Sequence, residues 1–117
     1  MKPSAKKQVS SGLPPLESLD RHIHEPARLQ IMAYLSVVEN ADFIFLLNQT
    51  GLTRGNLSAH LTKLEAAGYV SIKKEFVKRL PRTVLALTRQ GKAAFQDYLK
   101  QMKNFLEELH DITLIQR

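Results

Sequence analysis

One run of nineteen residues, Leu52 to Val70, reading LTRGNLSAHLTKLEAAGYV, constrains this chain more than any other because it carries its own helix start, periodicity and stop. Thr53 has the side chain of a good N-cap, a hydroxyl able to accept a hydrogen bond from an amide that the first turn leaves unpaired. Leu57, Leu61 and Leu64 recur at helical spacing and mark a buried stripe. The opposite face holds Arg54, Gly55, Ser58, Ala59, Thr62 and Lys63, which are small, polar or cationic and include no acid. A face of that kind can lie against a polyanion. Gly68 comes just after the last periodic residue, where a left-handed residue ends a helix, and Tyr69-Val70 reads as the beginning of a strand. The sequence therefore predicts a helix over residues 53–67.

The residues ahead of this helix give it a setting. Asp42 is placed to cap a short helix in which Phe43, Leu46, Leu47 and Thr50 fall at i, i+3, i+4 and i+7, and Gly51 ends it. Only Gly51 and Leu52 then separate it from the cap at Thr53. Two helices joined by so short a glycine turn cross steeply, the arrangement of a helix-turn-helix whose second helix enters the major groove. An αα-hairpin with no role on DNA is the alternative on this segment alone. Upstream, a first helix is expected from about Leu16 or Asp20, interrupted near Pro26 and running to Val38, with Leu29, Met32 and Ala33 on its apolar face.

Downstream of Gly68 the pattern changes to that of a hairpin. Tyr69 to Phe76 alternates well enough for a strand, although Glu75-Phe76 disturbs the register near its end; VKRLP, residues 77–81, reads as a basic turn, and Arg82 to Leu87 as a second strand. With Lys78, Arg79 and Arg82 at its tip, it can reach along a phosphate backbone or into a minor groove beside the helix. Cations on an edge strand also discourage aggregation, which is the competing explanation. The charge distribution favours the first. The net charge of +6 is concentrated in residues 54–92, which carry nine Lys or Arg against Glu65 and Glu75, while residues 17–53 carry five acids against two bases.

Length and composition fit one domain. The 117 residues, 44% of them hydrophobic, can enclose one core without staples, and the absence of cysteine excludes disulfides, thiolate catalysis and cysteine-held zinc. No apolar run reaches the roughly 18 residues of a membrane span, and no signal-peptide pattern opens the chain, so a cytoplasmic protein is expected. Residues 1–15, rich in Lys, Ser and Pro, read as a disordered basic arm, and residues 16–117 as the folded domain. No metal site is expected: His22 and His24, two apart, cannot share a helical face, His60 falls with the leucines on the buried side, and His110 lies far away. Without paired carboxylates, a nucleophile elbow or a phosphate-cradling glycine loop, an enzyme is not expected, nor is a cofactor.

Thr88 is placed to cap a last helix of about residues 88–110, in which Phe95, Tyr98, Leu99, Met102, Leu106 and Leu109 keep helical spacing and Phe105 widens the stripe. Such a helix is longer than one core needs, so part of its face is expected to meet a second copy of the chain. The predicted interface comprises Leu29, Met32, Phe95, Leu99, Met102, Phe105, Leu106 and Leu109. Folding back onto its own core is the alternative.

Taken together, HEPARLQIMAYL, DFIFLLNQTGLTRGNLSAHLTKLEAAGYV, FVKRLPRTVLALT and QGKAAFQDYL, spread over residues 23–99, resemble the small winged helix-turn-helix transcriptional regulators of the MarR and ArsR types. The resemblance implies a mainly α, α+β fold with a two-stranded wing at 77–82 and a long C-terminal dimerisation helix. It also implies a homodimer on double-stranded DNA, read by helix 53–67. In that frame Arg54 suits guanine and Asn56 adenine, while Ser58, Ala59 and Thr62 approach base edges. Gly55 lets the backbone come close to the duplex. Lys63, Lys78, Arg79 and Arg82 suit phosphates or the minor groove, and Thr53 holds the helix start beside them. A share in the Thr53 cap is the alternative role for Asn56, and a pair with a neighbouring acid the alternative for Arg82. Two other readings of the whole chain remain open: an interaction adaptor without DNA binding, and a sensor whose dimer cleft takes a small-molecule effector.

Overall fold

The computed structural model describes residues 13–115, so most of the basic arm expected over residues 1–15 lies outside the described residues. The described residues form two compact units, one spanning Arg21–Phe95 and the other combining residues 13–20 with residues 96–115. Among the described residues no helix is long and apolar enough to cross a membrane.

In the Arg21–Phe95 unit the first helix, α1, covers only Pro26–Ser36. Leu16–Ser18 forms a separate 3-10 turn, which corrects the longer helix expected from Leu16 or Asp20. The reason is local. Pro26 fixes the first helical position, and extended Glu25 turns its carboxylate back to accept from the Arg28 amide at 2.8 Å. The helix ends before Val37, two residues short of expectation, as Ser36 donates its hydroxyl to the Ala33 carbonyl. Ala41–Asp42 then forms a short strand, β1, that no alternation in the sequence announces. Asp42 also caps α2, Phe43–Thr50, by accepting from the Phe45 amide at 2.8 Å, and Gly51 closes that helix in the left-handed region at φ 71°.

Helix α3 runs Arg54–Ala66, with Thr53 as its N-cap accepting from the Asn56 amide at 3.1 Å. Its end is a Schellman motif: the Tyr69 amide donates to the Leu64 carbonyl and the Gly68 amide to the Glu65 carbonyl, both at 2.9 Å, with Gly68 at φ 86°. Strands β2, Val70–Val77, and β3, Leu80–Leu87, come next. The sheet is antiparallel in the order β1-β3-β2, with Ala41 opposite Leu85 and Val70 opposite Leu87. Thr88 begins the last helix, α4, Arg89–Ile115, by accepting from the Gly91 amide at 2.9 Å. The helix runs five residues past the expected end because no glycine or proline interrupts it after Gly91.

The core lies where α1 and α3 pack on the sheet. Ile31, Met32 and Leu35 from α1, Leu46 from α2, Leu57, Leu61 and Leu64 from α3, and Val70, Leu85 and Leu87 from the strands are all buried. The alternation along β2 and β3 sets one hairpin face toward these leucines. In the other unit Leu19 and Tyr98 are buried, and Pro14, Leu16, Leu19 and Phe105 line one shallow pocket.

Candidate nucleic-acid interface

Burial of Leu57, Leu61 and Leu64 turns the rest of α3 outward. Thr53, Arg54, Gly55, Asn56, Ser58, Ala59, Thr62 and Lys63 are all exposed, so these residues form one continuous surface without a carboxylate. Gly55 sits in the open: a Cβ built there meets nothing within 4 Å. Asn56 gives the Thr53 cap its backbone amide. The helix is also tied down at its middle. The Arg28 guanidinium stands 3.2 Å from His60 Nδ1 and donates through Nε to the His22 carbonyl at 2.6 Å, while Glu25 Oε1 lies 3.9 Å from the same ring nitrogen. His60 is therefore half-buried in a polar link to the start of α1, not enclosed with the leucines as its spacing implied.

The hairpin is tighter at its tip than expected. The five-residue turn VKRLP is in fact a two-residue turn, Lys78-Arg79, both in the left-handed region at φ 52° and 69°. That is the backbone of a type I′ turn, whose twist matches the flanking strands. Pro81 is not in the turn but in β3, opposite Phe76. Next to the two-residue turn Val77 and Leu80 form the hydrogen-bonded pair, so position 81 has its nitrogen directed away from β2. On that side β1 reaches only Val84 and Leu85, and the missing N–H of proline leaves no partner unpaired. Glu75 and Phe76 stay in register.

The side chains expected to meet phosphate are exposed, with one already engaged. Lys78, Arg79 and Arg82 all face solvent, and Arg82 Nε lies 3.8 Å from Asp42 Oδ2, on the carboxylate that caps α2. Arg82 thus joins the hairpin to the start of the helix-turn-helix. Arg54, the hairpin residues Val77, Lys78, Leu80 and Arg82, and Asp42 and Ile44 border one groove. The first residue of α3 and the hairpin tip therefore flank a common surface. Sequence reading missed that the tip is apolar as well as basic: Phe76 and Leu80 are exposed to 76% and 69%. The two-residue turn, invisible without its Asn-Gly signature, is what carries them there.

A family model for the winged helix DNA-binding domain matches residues 27–106. The chain belongs to that family. The winged helix is thus a DNA-binding fold here, with the hairpin as its wing, and the family is not one of enzymes. Among curated proteins, an uncharacterized protein of Methanocaldococcus jannaschii is 37% identical over 75 residues, covering 64% of this chain and 82% of that one. Among solved structures, a transcriptional regulator homologue of Pyrococcus horikoshii is similar with a TM-score of 0.73 and 29% identity, over 89% of this chain and 95% of the other. A MarR-family regulator of Enterococcus faecalis shares the fold with a TM-score of 0.65 and 21% identity, over 97% and 96% of the two chains. The fold is thereby that of a winged helix DNA-binding domain, shared with a transcriptional regulator homologue.

The expected interface residues divide within this winged helix chain. Met32 is 0% and Phe95 4% exposed, so both lie in the chain's own core. Leu29, Met102 and Phe105 are half-buried, and Phe105 borders the residues around Pro14 and Leu19. Leu99, Leu106 and Leu109 remain exposed along α4. A helical stripe says which face is apolar, but not whose surface covers it. Among the described residues, no group of three or more His, Asp or Glu side chains could hold a metal ion.

Proposed function

We propose that this chain is a sequence-specific transcriptional regulator that binds double-stranded DNA as a homodimer, with α3 in the major groove and the wing on the backbone or in the minor groove. The observation that carries this reading is the exposed, acid-free surface from Thr53 to Lys63, with Arg54 bordering the same groove as Lys78 and Arg82. Arg54 reads guanine and Asn56 adenine, with Ser58, Ala59 and Thr62 against neighbouring base edges. Lys63, Lys78 and Arg79 contact phosphates. Arg82 does so while holding Asp42, which fixes the angle between wing and helix-turn-helix.

Selection of bound duplexes from a random pool, then titration of variants, tests the reading. Arg54→Ala relaxes preference at one base position by about ten- to a hundredfold. Arg79→Ala weakens all sequences alike and lowers the salt slope by about one. If both variants bound the selected duplex like wild type at moderate salt, the assignment would be lost. A wild-type protein with no salt-sensitive binding to any duplex would point instead to an interaction adaptor.

Gly55 gives a second test because its two consequences have opposite signs. With nothing near its Cβ position, Gly55→Ala raises stability by up to about 1 kcal/mol through helix propensity. The added methyl stands between backbone and duplex, so affinity falls as the melting temperature rises. An alanine variant both more stable and equally tight in a mobility shift would show that the backbone there does not approach DNA.

A further inference from the structure

The wing presents an apolar point inside a ring of cations. Phe76 faces Pro81 across the hairpin and Val77 faces Leu80, so the four residues nearest the turn are apolar, two on each face. Phe76 and Pro81 continue the face that, nearer the base, holds Val70, Leu85 and Leu87 in the core. At the tip there is no core for them to join. Around them stand Lys73, Lys74, Lys78, Arg79 and Arg82, while the hairpin's single acid, Glu75, is opposite Arg82 in the register. A hairpin meant only to stay soluble would carry polar residues at such positions, because an exposed apolar tip on a strand pair invites association.

One partner satisfies both chemistries at once. A duplex offers phosphates along the walls of its minor groove and, where a base step is opened from that groove, the apolar faces of the bases. Phe, Leu and Pro are side chains that enter between base steps there, partly unstacking them and kinking the helix. Charge complementarity thus selects DNA as the occupant. The groove shared by Arg54 with Val77, Leu80 and Pro81 puts this tip beside the first turn of α3.

We propose that Phe76, supported by Pro81 on the same face of the hairpin, is an apolar wedge that enters the minor groove flanking the bases read by α3 and bends the duplex. The wedge rests on the DNA-binding reading above. It adds a contribution to specificity at base steps that no side chain reads by hydrogen bonding, because flexible pyrimidine–purine steps kink more easily than stiff A-tracts. The cations and the wedge have separable signatures. Lys78 and Arg79 set the salt dependence, whereas Phe76 sets the bend.

The experiment uses the full chain and a duplex enriched from a random pool by the wild-type protein, labelled at its ends for energy transfer and carrying 2-aminopurine at the flanking steps. Wild type should bring the ends closer and brighten 2-aminopurine at one flanking step. Phe76→Ala should lose both signals and bind about tenfold more weakly, with the salt slope and the preference at α3-read positions unchanged. Phe76→Leu should restore part of the bend. Lys78→Ala should do the reverse, keeping the bend and lowering the slope. Because Phe76 is exposed, circular dichroism of the alanine variant should match wild type.

Wild-type binding that neither bends the duplex nor responds to Phe76→Ala overturns the wedge and leaves the functional reading standing. A wild-type protein that binds no duplex overturns both. Phe76-dependent binding to vesicles of anionic phospholipid, with the DNA bend unaffected by the substitution, assigns the tip to a membrane surface and also overturns the wedge.

Discussion

Gly91→Ala is expected to destabilise the winged helix by about 2 kcal/mol or more, although the same change in an open helix is stabilising by up to about 1 kcal/mol. Gly91 is buried in the first turn of α4, and a Cβ there would run into the Tyr69 carbonyl. That obstacle is backbone, not the end of a flexible side chain. The same carbonyl accepts from the Thr88 amide at 3.0 Å, and the Thr88 hydroxyl donates to the Gly68 carbonyl at 2.6 Å while accepting from the Gly91 amide. Three elements meet at these four residues: the Schellman end of α3, the start of β2 and the start of α4. A methyl group at position 91 can be accommodated only by separating α4 from Tyr69, which loosens the hydrogen bonds that Thr88 donates to the Tyr69 and Gly68 carbonyls. At roughly 4–8 °C per kcal/mol for a domain of this size, melting should fall by about 10 °C. Calorimetry or denaturant titration checks it, with Gly55→Ala moving the opposite way as the internal control. Melting of Gly91→Ala at or above the wild-type temperature would mean that the first turn of α4 shifts without cost.

That junction also shows where a sequence stops being readable. Thr53, Asp42, Gly51, Gly68 and Thr88 were legible because a cap or a stop acts on amides and carbonyls within a few residues of itself. Gly91 was not. In sequence it is a weak helix residue, and only the Tyr69 backbone, brought back by the turn after α3, makes it a requirement. Strand β1 was equally hidden: two residues carry no alternation, and their partners Val84 and Leu85 lie some forty positions away. The wing was legible but its tip was not, since Lys78-Arg79 lacks the Asn-Gly signature of a type I′ turn and Pro81 imitates a turn residue. For the site, the outward face of α3 came from the leucine spacing alone. The Arg82–Asp42 pair and the Arg28–His60 link did not, because each joins elements whose approach is set by the core. Periodicity assigned Met32 and Phe95 to an apolar face, and it is the chain's own core that covers them.

Replacing Leu99 and Leu106 together by glutamate is expected to convert the proposed homodimer to a monomer while leaving each protomer folded. Helix α4 has 27 residues, about 40 Å at 1.5 Å per residue. Along it Leu99, Met102, Leu106, Leu109 and Thr113 alternate spacings of three and four, the seam of a two-helix contact. Leu106 is 54% exposed, and Leu99 and Leu109 also face out, so the protomer's own core does not depend on them. Each leucine fully covered by a second copy contributes roughly 1.5–3 kcal/mol, whereas a glutamate there brings an unpaired charge out of water. Sedimentation should give one 13.3 kDa chain for the variant and two for wild type. Circular dichroism should be retained. The larger effect is on DNA: once one reading helix is bound, a tethered second one meets its half-site at an effective concentration far above that of free protein. Losing the tether should weaken binding to a two-half-site duplex by about 10²–10⁴-fold, with single half-site affinity unchanged. A double-glutamate variant that still sedimented as two chains would move the interface off this seam. One that became monomeric yet bound the full site as tightly would make each winged helix a reader in its own right.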